Sequence, residues 1–196
     1  MSEFSNFVGA EELLKQQEYA SNTRRLIDGK GFKAHVITLG CQQNEADSER
    51  ISGVLKSLGY EITENDNEAD LIIINTCAIR EHAERRALSF IGRYKHNKIK
   101  NPDMIIAVCG CMMAQKHRME QVRTFAYVDF AFGTGSMHCL PEFVYNSLTK
   151  GKRKFTPDPE RMLISEEIPV LRKSGYKAWV SIMYGCNNFC TYCIVP

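Results

Sequence analysis

The sequence predicts an α/β fold in which a parallel sheet is covered by helices on both faces. Short apolar runs such as LIIIN and MIIAVCG are typical of strands that are buried on both sides of such a sheet. Segments with apolar residues at helical spacing lie between these runs, and the links between them are short. These two patterns do not give the order of the strands, so a flavodoxin-like or Rossmann-like arrangement is the default expectation.

Strands and helices are expected to alternate from Lys33 onward. The predicted strands are AHVITLG, YEIT, ADLIIIN, MIIAVCG and YVDFAFG, and the predicted helices are residues 44–59, 80–98, 113–125 and 140–148. Asn44 is expected to cap the first of these helices and Gly59 to end it, while Pro141 suits the first turn of the last. The apolar face of the 80–98 helix is predicted to consist of Ala83, Ala87, Phe90, Ile91 and Tyr94.

The composition divides the chain into four parts. Residues 1–30 are expected to form a helical extension, either docked or loose, and residues 31–150 the α/β domain. Residues 151–177 combine high charge, three prolines and no periodicity, which is typical of a linker. Residues 178–196 would then begin a second domain, with the strand AWVSIMYG and a cysteine-rich loop.

Composition and charge narrow the class of protein. The 196 residues are 44% apolar and 24% charged, as in a globular protein, and the net charge of +2 neither favours nor excludes nucleic acid. The first residues lack the basic start and apolar run of a secretory signal. A cytoplasmic setting is therefore expected, where disulfides are rare and eight cysteines indicate metal or redox chemistry.

Three cysteines, here called the first triplet, occupy equivalent places in the predicted repeat. Cys41, Cys77 and Cys111 each follow a predicted strand and stand 36 and 34 residues apart. Loops that follow parallel strands gather at one edge of an open sheet, so three thiols can converge there. The simpler alternative is three unrelated buried cysteines, which pack like small apolar residues. Polar turns around the three favour convergence, whereas Cys109 in a strand and Cys139 at a helix start are expected to pack.

The second triplet, Cys186, Cys190 and Cys193, has the spacing C-x3-C-x2-C. A structural zinc site usually has four protein ligands, so a zinc ion at the second triplet would need Cys139 or a histidine as its fourth ligand. An iron–sulfur cluster accepts three thiolates and leaves one iron open for a substrate or cofactor. A simple electron carrier would have both clusters closed by four protein ligands, and each triplet offers three obvious thiols.

The spacing of the second triplet, with Tyr192 just before its last cysteine, resembles the motif of radical S-adenosylmethionine enzymes. The upstream segments TLGCQQNEADSERI, ADLIIINTCAIREHAERRA and IIAVCGCMMAQ resemble the N-terminal domain of the methylthiotransferases, and GCNNFCTYCIVP matches the same family. The resemblance covers residues 33–196. The motifs look most like the subgroup that acts on N6-isopentenyl (dimethylallyl) adenosine in tRNA. Gln43, where many members of that subgroup carry methionine, departs from its pattern.

The resemblance implies two [4Fe–4S] clusters and S-adenosyl-L-methionine as cofactors. The first triplet would hold an auxiliary cluster that carries sulfur, and the second triplet would hold the radical cluster, with Tyr192 beside the adenine of S-adenosyl-L-methionine. A 5′-deoxyadenosyl radical would remove hydrogen from carbon 2 of the target adenine, and a second S-adenosyl-L-methionine would supply the methyl group. The implied partners are a tRNA anticodon loop bearing isopentenylated adenosine and an electron donor such as flavodoxin or ferredoxin. No membrane is expected as a partner, and the protein is expected to be a monomer.

The same resemblance predicts an N-terminal piece of a longer enzyme. The remaining strands of the family's barrel and its C-terminal RNA-binding domain would follow residue 196, so the chain alone is expected to lack methylthiotransferase activity. One rival is a sister enzyme that acts on threonylcarbamoyl-adenosine in tRNA or on an aspartate of a ribosomal protein. A rival from another class is a non-catalytic, metal-stabilised module that binds RNA.

Weaker signals come from other polar residues. Asn44 and Asn75 flank the first triplet, where they would either orient thiolates or serve only the local structure. The basic run at residues 150–154 is expected to be a solvated linker, with contact to a tRNA backbone as the alternative. Three arginines of the 80–98 helix would face either tRNA or solvent, namely Arg80, Arg85 and Arg86.

Overall fold

The apolar runs of the sequence form the central strands of a single sheet. This computed structural model describes residues 7–78, 81–158, 164–165, 168–183 and 185–193, without the side chains of residues 81–83. The strands are β1 (Lys33–Leu39), β2 (Glu61–Ile62), β3 (Leu71–Thr76), β4 (Ile105–Gly110), β5 (Phe130–Phe132) and β6 (Lys154–Thr156). Their order is β2-β1-β3-β4-β5-β6, and every neighbouring pair is parallel. The predicted α/β class is confirmed, and the first five strands have the 2-1-3-4-5 order of flavodoxin-like folds.

Helices cover both faces of this sheet. They are α1 (Ala10–Ile27), α2 (Gln42–Ser57), α3 (Glu81–Lys100), α4 (Cys111–Ala114), α5 (Lys116–Arg123) and α6 (Leu140–Lys150), with a 3-10 helix at Thr134–Cys139. Helices α1, α2 and α6 pack on one face, and α3, α4 and α5 pack on the other. In the part of the chain that the structure describes, no helix is both long enough and apolar enough to cross a membrane.

Strand β3 shows how the two faces are filled. Leu71 and Ile73 belong to the core under α2, whereas Ile72 and Ile74 belong to the core under α3. All four side chains are fully buried, and burying each of them stabilises the fold by about 1.5–3 kcal/mol. Successive side chains of a strand point to opposite faces, so one apolar run supports two cores.

Helix α1 is docked rather than loose. Ile27 is buried in the core under α2, and the Gln16 side-chain oxygen accepts a hydrogen bond from the Glu142 N–H of α6 at 3.2 Å. The rings of Tyr19 and Tyr145 also meet across α1 and α6, with their centroids 5.4 Å apart. The helix therefore extends the layer that α2 and α6 form on one face of the sheet.

The start of α2 differs from the prediction, whereas its end agrees with it. Cys41 is the N-cap, and Asn44 lies three positions later as the second member of a capping box. The predicted cap at Asn44 was wrong because a thiol can replace the hydroxyl that usually occupies the cap. Gly59 follows the helix with a φ of +102°, a left-handed conformation that favours glycine.

The predicted helix over residues 113–125 is two helices. Gln115 has extended backbone angles, with φ −80° and ψ 119°, so α4 ends before it and α5 begins after it. The side-chain amide of Gln115 donates a hydrogen bond to Glu84 of α3 at 2.9 Å. This hydrogen bond attaches the residue between α4 and α5 to α3, just after the short helix that begins at Cys111.

Two further expectations for the C-terminal part need correction. The region 151–177, expected to be a linker, contains β6, whose Lys154 N–H donates to the Asp129 carbonyl at 3.0 Å. The sequence signal is weak because this strand has one aromatic, Phe155, among charged residues. Conversely, the strand expected at residues 178–185 is not seen, because its described residues, 178–183 and 185, are irregular and pair with no strand in the described part of the chain.

The basic run at 150–154 is partly built into the fold rather than solvated. The Arg153 guanidinium donates to the carbonyls of Val128, Arg123 and Phe125 at 2.7–2.9 Å. Lys154 pairs with Glu142 of α6 at 2.6 Å. These contacts attach the start of β6 to the rest of the domain, although Arg153 is itself exposed, as are Lys150 and Lys152.

Candidate metal centre

The first triplet lies where three central strands end. Cys41 follows β1 and caps α2, Cys77 follows β3, and Cys111 follows β4 and begins α4. These three strands are adjacent in the sheet. The strand order reverses between β1 and β3, and ligands of open α/β sheets bind outside the carboxyl ends of the strands at such a point. The fold thus brings the three cysteines to one edge, at the place where such folds bind ligands.

Cys111 is held beside the end of β3. The Ala78 N–H donates to the Cys111 sulfur at 3.0 Å, and the Cys111 thiol donates to the Thr76 carbonyl at 3.6 Å. Burial raises the pKa of the Cys111 thiol to about 12, with smaller upward effects from Cys77 and Cys41, while the Ala78 N–H lowers it. This thiol therefore carries its proton at neutral pH and must release it to bind a metal.

Cys41 is held by Asn44. The Asn44 side-chain oxygen accepts a hydrogen bond from the Cys41 backbone N–H at 3.1 Å and another from the Cys41 thiol at 3.2 Å. This pair closes the first turn of α2. The position of the Cys41 sulfur is thereby fixed by the start of the helix.

A buried polar network supports the strand ends beneath the first triplet. The Asn44 amide donates to the Asn75 side-chain oxygen and to the Thr76 carbonyl, each at 3.0 Å. The Asn75 amide donates to the Asn44 carbonyl at 2.9 Å and to the Ser48 hydroxyl at 3.0 Å. The Thr38 hydroxyl donates to Ser48 at 2.8 Å. Because a buried polar group left unpaired costs about 1–3 kcal/mol, this network locks β1, α2 and β3 together.

Two glycines allow these strand ends to approach each other. A Cβ at Gly40 would lie 2.6 Å from the Cys77 Cβ and 2.3 Å from the Asn44 side-chain oxygen. Gly110 has a φ of +98°, and a Cβ there would lie 2.2 Å from the Thr76 carbonyl oxygen. Each glycine directly precedes a cysteine of the first triplet, so the close approach and the thiols occupy the same two loops.

The first triplet offers three thiols as possible metal ligands. Among the described residues, no group of three His, Cys, Asp or Glu side chains is close enough to hold one ion. A structural zinc needs four ligands around one centre. Iron–sulfur clusters are bound by cysteine thiolates, which is the donor type present in these three loops.

The second triplet lies in an irregular segment. Cys186 is half-buried, Cys190 and Cys193 are exposed, and Tyr192 is 90% exposed. The Asn188 N–H donates to the Cys186 sulfur at 3.4 Å, and the Cys193 N–H donates to the Cys190 carbonyl at 3.0 Å. As at the first triplet, the thiols of residues 185–193 do not form a group close enough to hold one metal ion.

The two remaining cysteines pack, as their positions in the sequence indicate. Cys109 is buried inside β4, and Cys139 at the start of α6 lies against the same core. Burial raises the pKa of the Cys139 thiol to about 11. All eight cysteines of the chain are free thiols, so the fold contains no disulfide.

Two buried acidic residues near the first triplet were missed by sequence reasoning. Glu84 of α3 accepts hydrogen bonds from Gln115 and from Arg118, both at 2.9 Å, and joins α3 to α5. Burial raises the pKa of Asp47 in α2 to about 6, although a hydrogen bond from Gln43 opposes this. Neither has a local signal, because each looks like an ordinary polar residue of a helix.

Comparison with known proteins identifies the family. A family model described as "Uncharacterized protein family UPF0004" matches residues 33–133, which include the whole first triplet. The chain belongs to the UPF0004 family. The matched region runs from the start of β1 to the residue after β5, so it includes the first five strands and the loops of the first triplet but not β6.

The alignments with curated relatives cover more of this chain than the UPF0004 region does. A tRNA-2-methylthio-N(6)-dimethylallyladenosine synthase of Thermoanaerobacter sp. (strain X514) is 42% identical over 97% of this chain and 41% of that protein. Proteins with the same name from Clostridium botulinum (strain Alaska E43 / Type E3) and Clostridium perfringens (strain SM101 / Type A) are 50% and 51% identical, over 88% and 82% of this chain. The chain spans 36–41% of the length of these three relatives. The resemblance to the methylthiotransferases is thus confirmed at the level of the family.

Among solved structures, the catalytic subunit of M. jannaschii aspartate transcarbamoylase aligns with 78% of this chain and 67% of that chain. The identity is 16% and the TM-score is 0.18, so this likeness carries no argument.

Proposed function

We propose that this chain belongs to a radical S-adenosyl-L-methionine tRNA methylthiotransferase. The reaction would attach a methylthio group to carbon 2 of N6-isopentenyl (dimethylallyl) adenosine beside the anticodon. The observation that supports it best is the meeting of Cys41, Cys77 and Cys111 at one sheet edge, in a chain whose relatives bear the name of that activity. Because the chain spans 36–41% of those relatives, the activity is proposed for a protein of their length.

Each triplet would hold one [4Fe–4S] cluster. Three thiolates leave one iron of such a cluster open for a further ligand. Tyr192 would lie beside the adenine of S-adenosyl-L-methionine at the second triplet. When bound, these cofactors supply the one-electron chemistry that breaks the carbon–hydrogen bond at carbon 2, which acid–base groups do not break at neutral pH. They also supply the sulfur that takes the place of the hydrogen.

The residues of the chain prepare the first triplet for binding. The Ala78 N–H directed at Cys111 favours the thiolate there, because a hydrogen bond to a charged form stabilises that form. The Cys41 thiol donates a hydrogen bond to the Asn44 side-chain oxygen, so this bond would be lost if Cys41 bound as a thiolate. Cluster loading would therefore release protons and be favoured by higher pH.

The proposed macromolecular partner is the anticodon loop of a tRNA. Single-stranded loops allow a base to be splayed out of its stack, which is how proteins usually reach RNA bases. A flavodoxin or ferredoxin would supply electrons. We propose a monomer in the cytoplasm with no membrane partner.

Anaerobic reconstitution tests the first triplet. Iron, sulfide and zinc are counted per chain in the wild type and in the variant Cys41→Ala/Cys77→Ala/Cys111→Ala. Loss of about four irons in the variant is expected if a cubane cluster sits there. Cys139→Ala is the matched control, since this half-buried cysteine packs against the core and should leave the iron count unchanged. Zinc in place of iron, or equal iron in the triple variant, would overturn the cluster and favour a structural metal module.

Mass spectrometry tests the substrate. In tRNA from cells that lack the gene, the 2-methylthio group is expected to be lost from isopentenyladenosine. Loss from threonylcarbamoyl-adenosine, or loss of a methylthio group from a ribosomal protein, would assign the sister activity instead. Complementation uses a protein of the relatives' length, because residues 1–196 alone are expected to form no 2-methylthio product.

A further inference from the structure

A segment that precedes the second triplet lies across α2. Residues 168–181 are called the strap here. The Leu171 N–H donates to the Glu49 carbonyl at 2.9 Å, and Arg172 Nη1 donates to Glu49 Oε2 at 2.6 Å. The Lys173 N–H donates to Glu49 Oε1 at 3.3 Å. One residue of α2 thus receives hydrogen bonds from three consecutive residues of the strap.

The buried charge of Glu49 favours the docked strap. Its side chain is 5% exposed, and a buried carboxylate is costly unless cations and hydrogen bonds satisfy it. Arg172 supplies the cation, and the backbone of Lys173 supplies a further donor. In the docked strap, the carboxylate is thus paired with a cation and with a backbone donor.

Gly53 provides the room that the strap needs. A Cβ at this position of α2 would lie 2.2 Å from the Pro169 carbonyl oxygen and 2.5 Å from its carbonyl carbon. Glycine is among the least favourable residues for a helix interior, so close approach of a second backbone is the physical reason for it here. Gly92 of α3 is the contrast, because a Cβ there would meet nothing within 4 Å.

The far end of the strap reaches the loop of Cys41. The Gln43 amide donates to the Ser181 hydroxyl at 3.0 Å and to Asp47 at 3.0 Å. Gln43 is two residues from Cys41, and Ser181 is five residues from Cys186. The strap is therefore tied to α2 beside the first triplet just before the chain enters the second.

We propose that the strap is a positioning element and that α2 is its docking surface. Docking would fix the position of the second triplet's loop relative to Cys41. The cofactors bound at the two triplets would then reach the same substrate. Gln43, Glu49 and Gly53 are positioning residues in this view. The role in catalysis rests on the proposed function, whereas the docking of the strap does not.

Trp179 reports on docking in the metal-free chain. It is the one tryptophan of the sequence, it lies in the strap, and its carbonyl accepts a hydrogen bond from Arg172 at 2.8 Å. Acrylamide quenching and fluorescence anisotropy of Trp179 are measured in Gly53→Ala and in Gly92→Ala. We expect quenching to rise about twofold or more in Gly53→Ala, because the strap opens, and to stay at the wild-type value in Gly92→Ala.

Arg172→Ala provides a second variant that does not alter α2 itself. It should raise Trp179 quenching as Gly53→Ala does, and Arg172→Lys should restore part of the protection because the cation is kept. Circular dichroism monitors the fold in each case. Wild-type quenching in both Gly53→Ala and Arg172→Ala would overturn the proposal.

The positioning role is tested on the reconstituted protein. Electron paramagnetic resonance of the reduced wild type is expected to show magnetic interaction between two clusters, and Gly53→Ala is expected to lose it at unchanged iron content. An unchanged interaction in Gly53→Ala would overturn the positioning role. If the wild type binds no iron, the proposed function fails, and Trp179 quenching still decides whether the strap docks on α2.

Discussion

The two cysteine triplets of this chain are held in different ways. The first triplet sits at the ends of three adjacent strands, over a buried asparagine network and beside two glycines that permit close approach. The second triplet sits in an irregular segment whose contacts at residues 185–193 are local turns. The sheet therefore positions the first set of thiols, whereas the second set has no comparable scaffold in the described residues.

Because of this difference, changes at the two triplets should have different effects on the free energy of unfolding. Around the first triplet, a change that affects a ligand loop should also affect folding, because the same residues hold the strand ends. Around the second triplet, the thiols should be removable at little cost in folding free energy. Measurements of the free energy of unfolding can therefore test the comparison.

The largest effect is expected at Gly110. Gly110→Ala combines a φ of +98° with a Cβ placed 2.2 Å from the Thr76 carbonyl oxygen, so the loop must shift. We expect a loss of about 2–4 kcal/mol in the free energy of unfolding, measured by urea denaturation, together with reduced iron at the first triplet. Gly92→Ala, which meets nothing within 4 Å, should be neutral or slightly stabilising. Equal stability of the two variants would refute the scaffold argument.

The next effect concerns the buried network. Asn75→Ala removes partners of the Asn44 amide and of the Ser48 hydroxyl, both of which stay buried. We expect a loss of about 1–3 kcal/mol in the free energy of unfolding. Asn188→Ala beside the second triplet is the matched control, since its side chain is exposed and the change should be within about 0.5 kcal/mol. A neutral Asn75→Ala would mean that the network does not hold the strand ends.

A smaller and pH-dependent effect is expected at Asp47. Burial raises the pKa of this carboxyl from 3.8 to about 6, so its stabilising contribution is present below pH 3.8 and is lost as the pH rises through 6. Asp47→Asn, which stays neutral, should therefore be more stable than the wild type at pH 7, by about 1–2 kcal/mol. The difference should vanish near pH 4. A variant that is less stable at pH 7 would show that the Gln43 bond and Arg50 outweigh the burial of the charge.

The sequence predicts the parts of this site that depend on repetition. An apolar run such as LIIIN is typical of a strand in a parallel sheet with helices on both faces. Strand β3 and its neighbours can therefore be predicted from the sequence. Cysteines placed after successive strands must reach the same edge, because parallel strands end together. The meeting of Cys41, Cys77 and Cys111 follows from these two facts without any knowledge of side-chain contacts.

The parts that escape prediction depend on single long-range contacts. Strand β6 is a strand only because its backbone pairs with β5, and Arg153 is structural only because three carbonyls surround it. The bond between Asn44 and Asn75 joins residues 31 positions apart, and nothing local to either one announces it. Glu49 is similar, since its partner Arg172 is 123 positions away.

The smallest effect on folding is expected at the second triplet. Cys186→Ala/Cys190→Ala/Cys193→Ala should change the free energy of unfolding of the metal-free chain by less than about 0.5 kcal/mol, because two of the three side chains are exposed. The same variant should lose its own iron and keep the iron of the first triplet, which makes the two sites independent in binding. A large loss of stability would mean that this segment is packed more tightly than its exposure indicates. Loss of iron from both sites would mean that the first triplet depends on the second, and the contrast between a scaffolded and an unscaffolded site would fail.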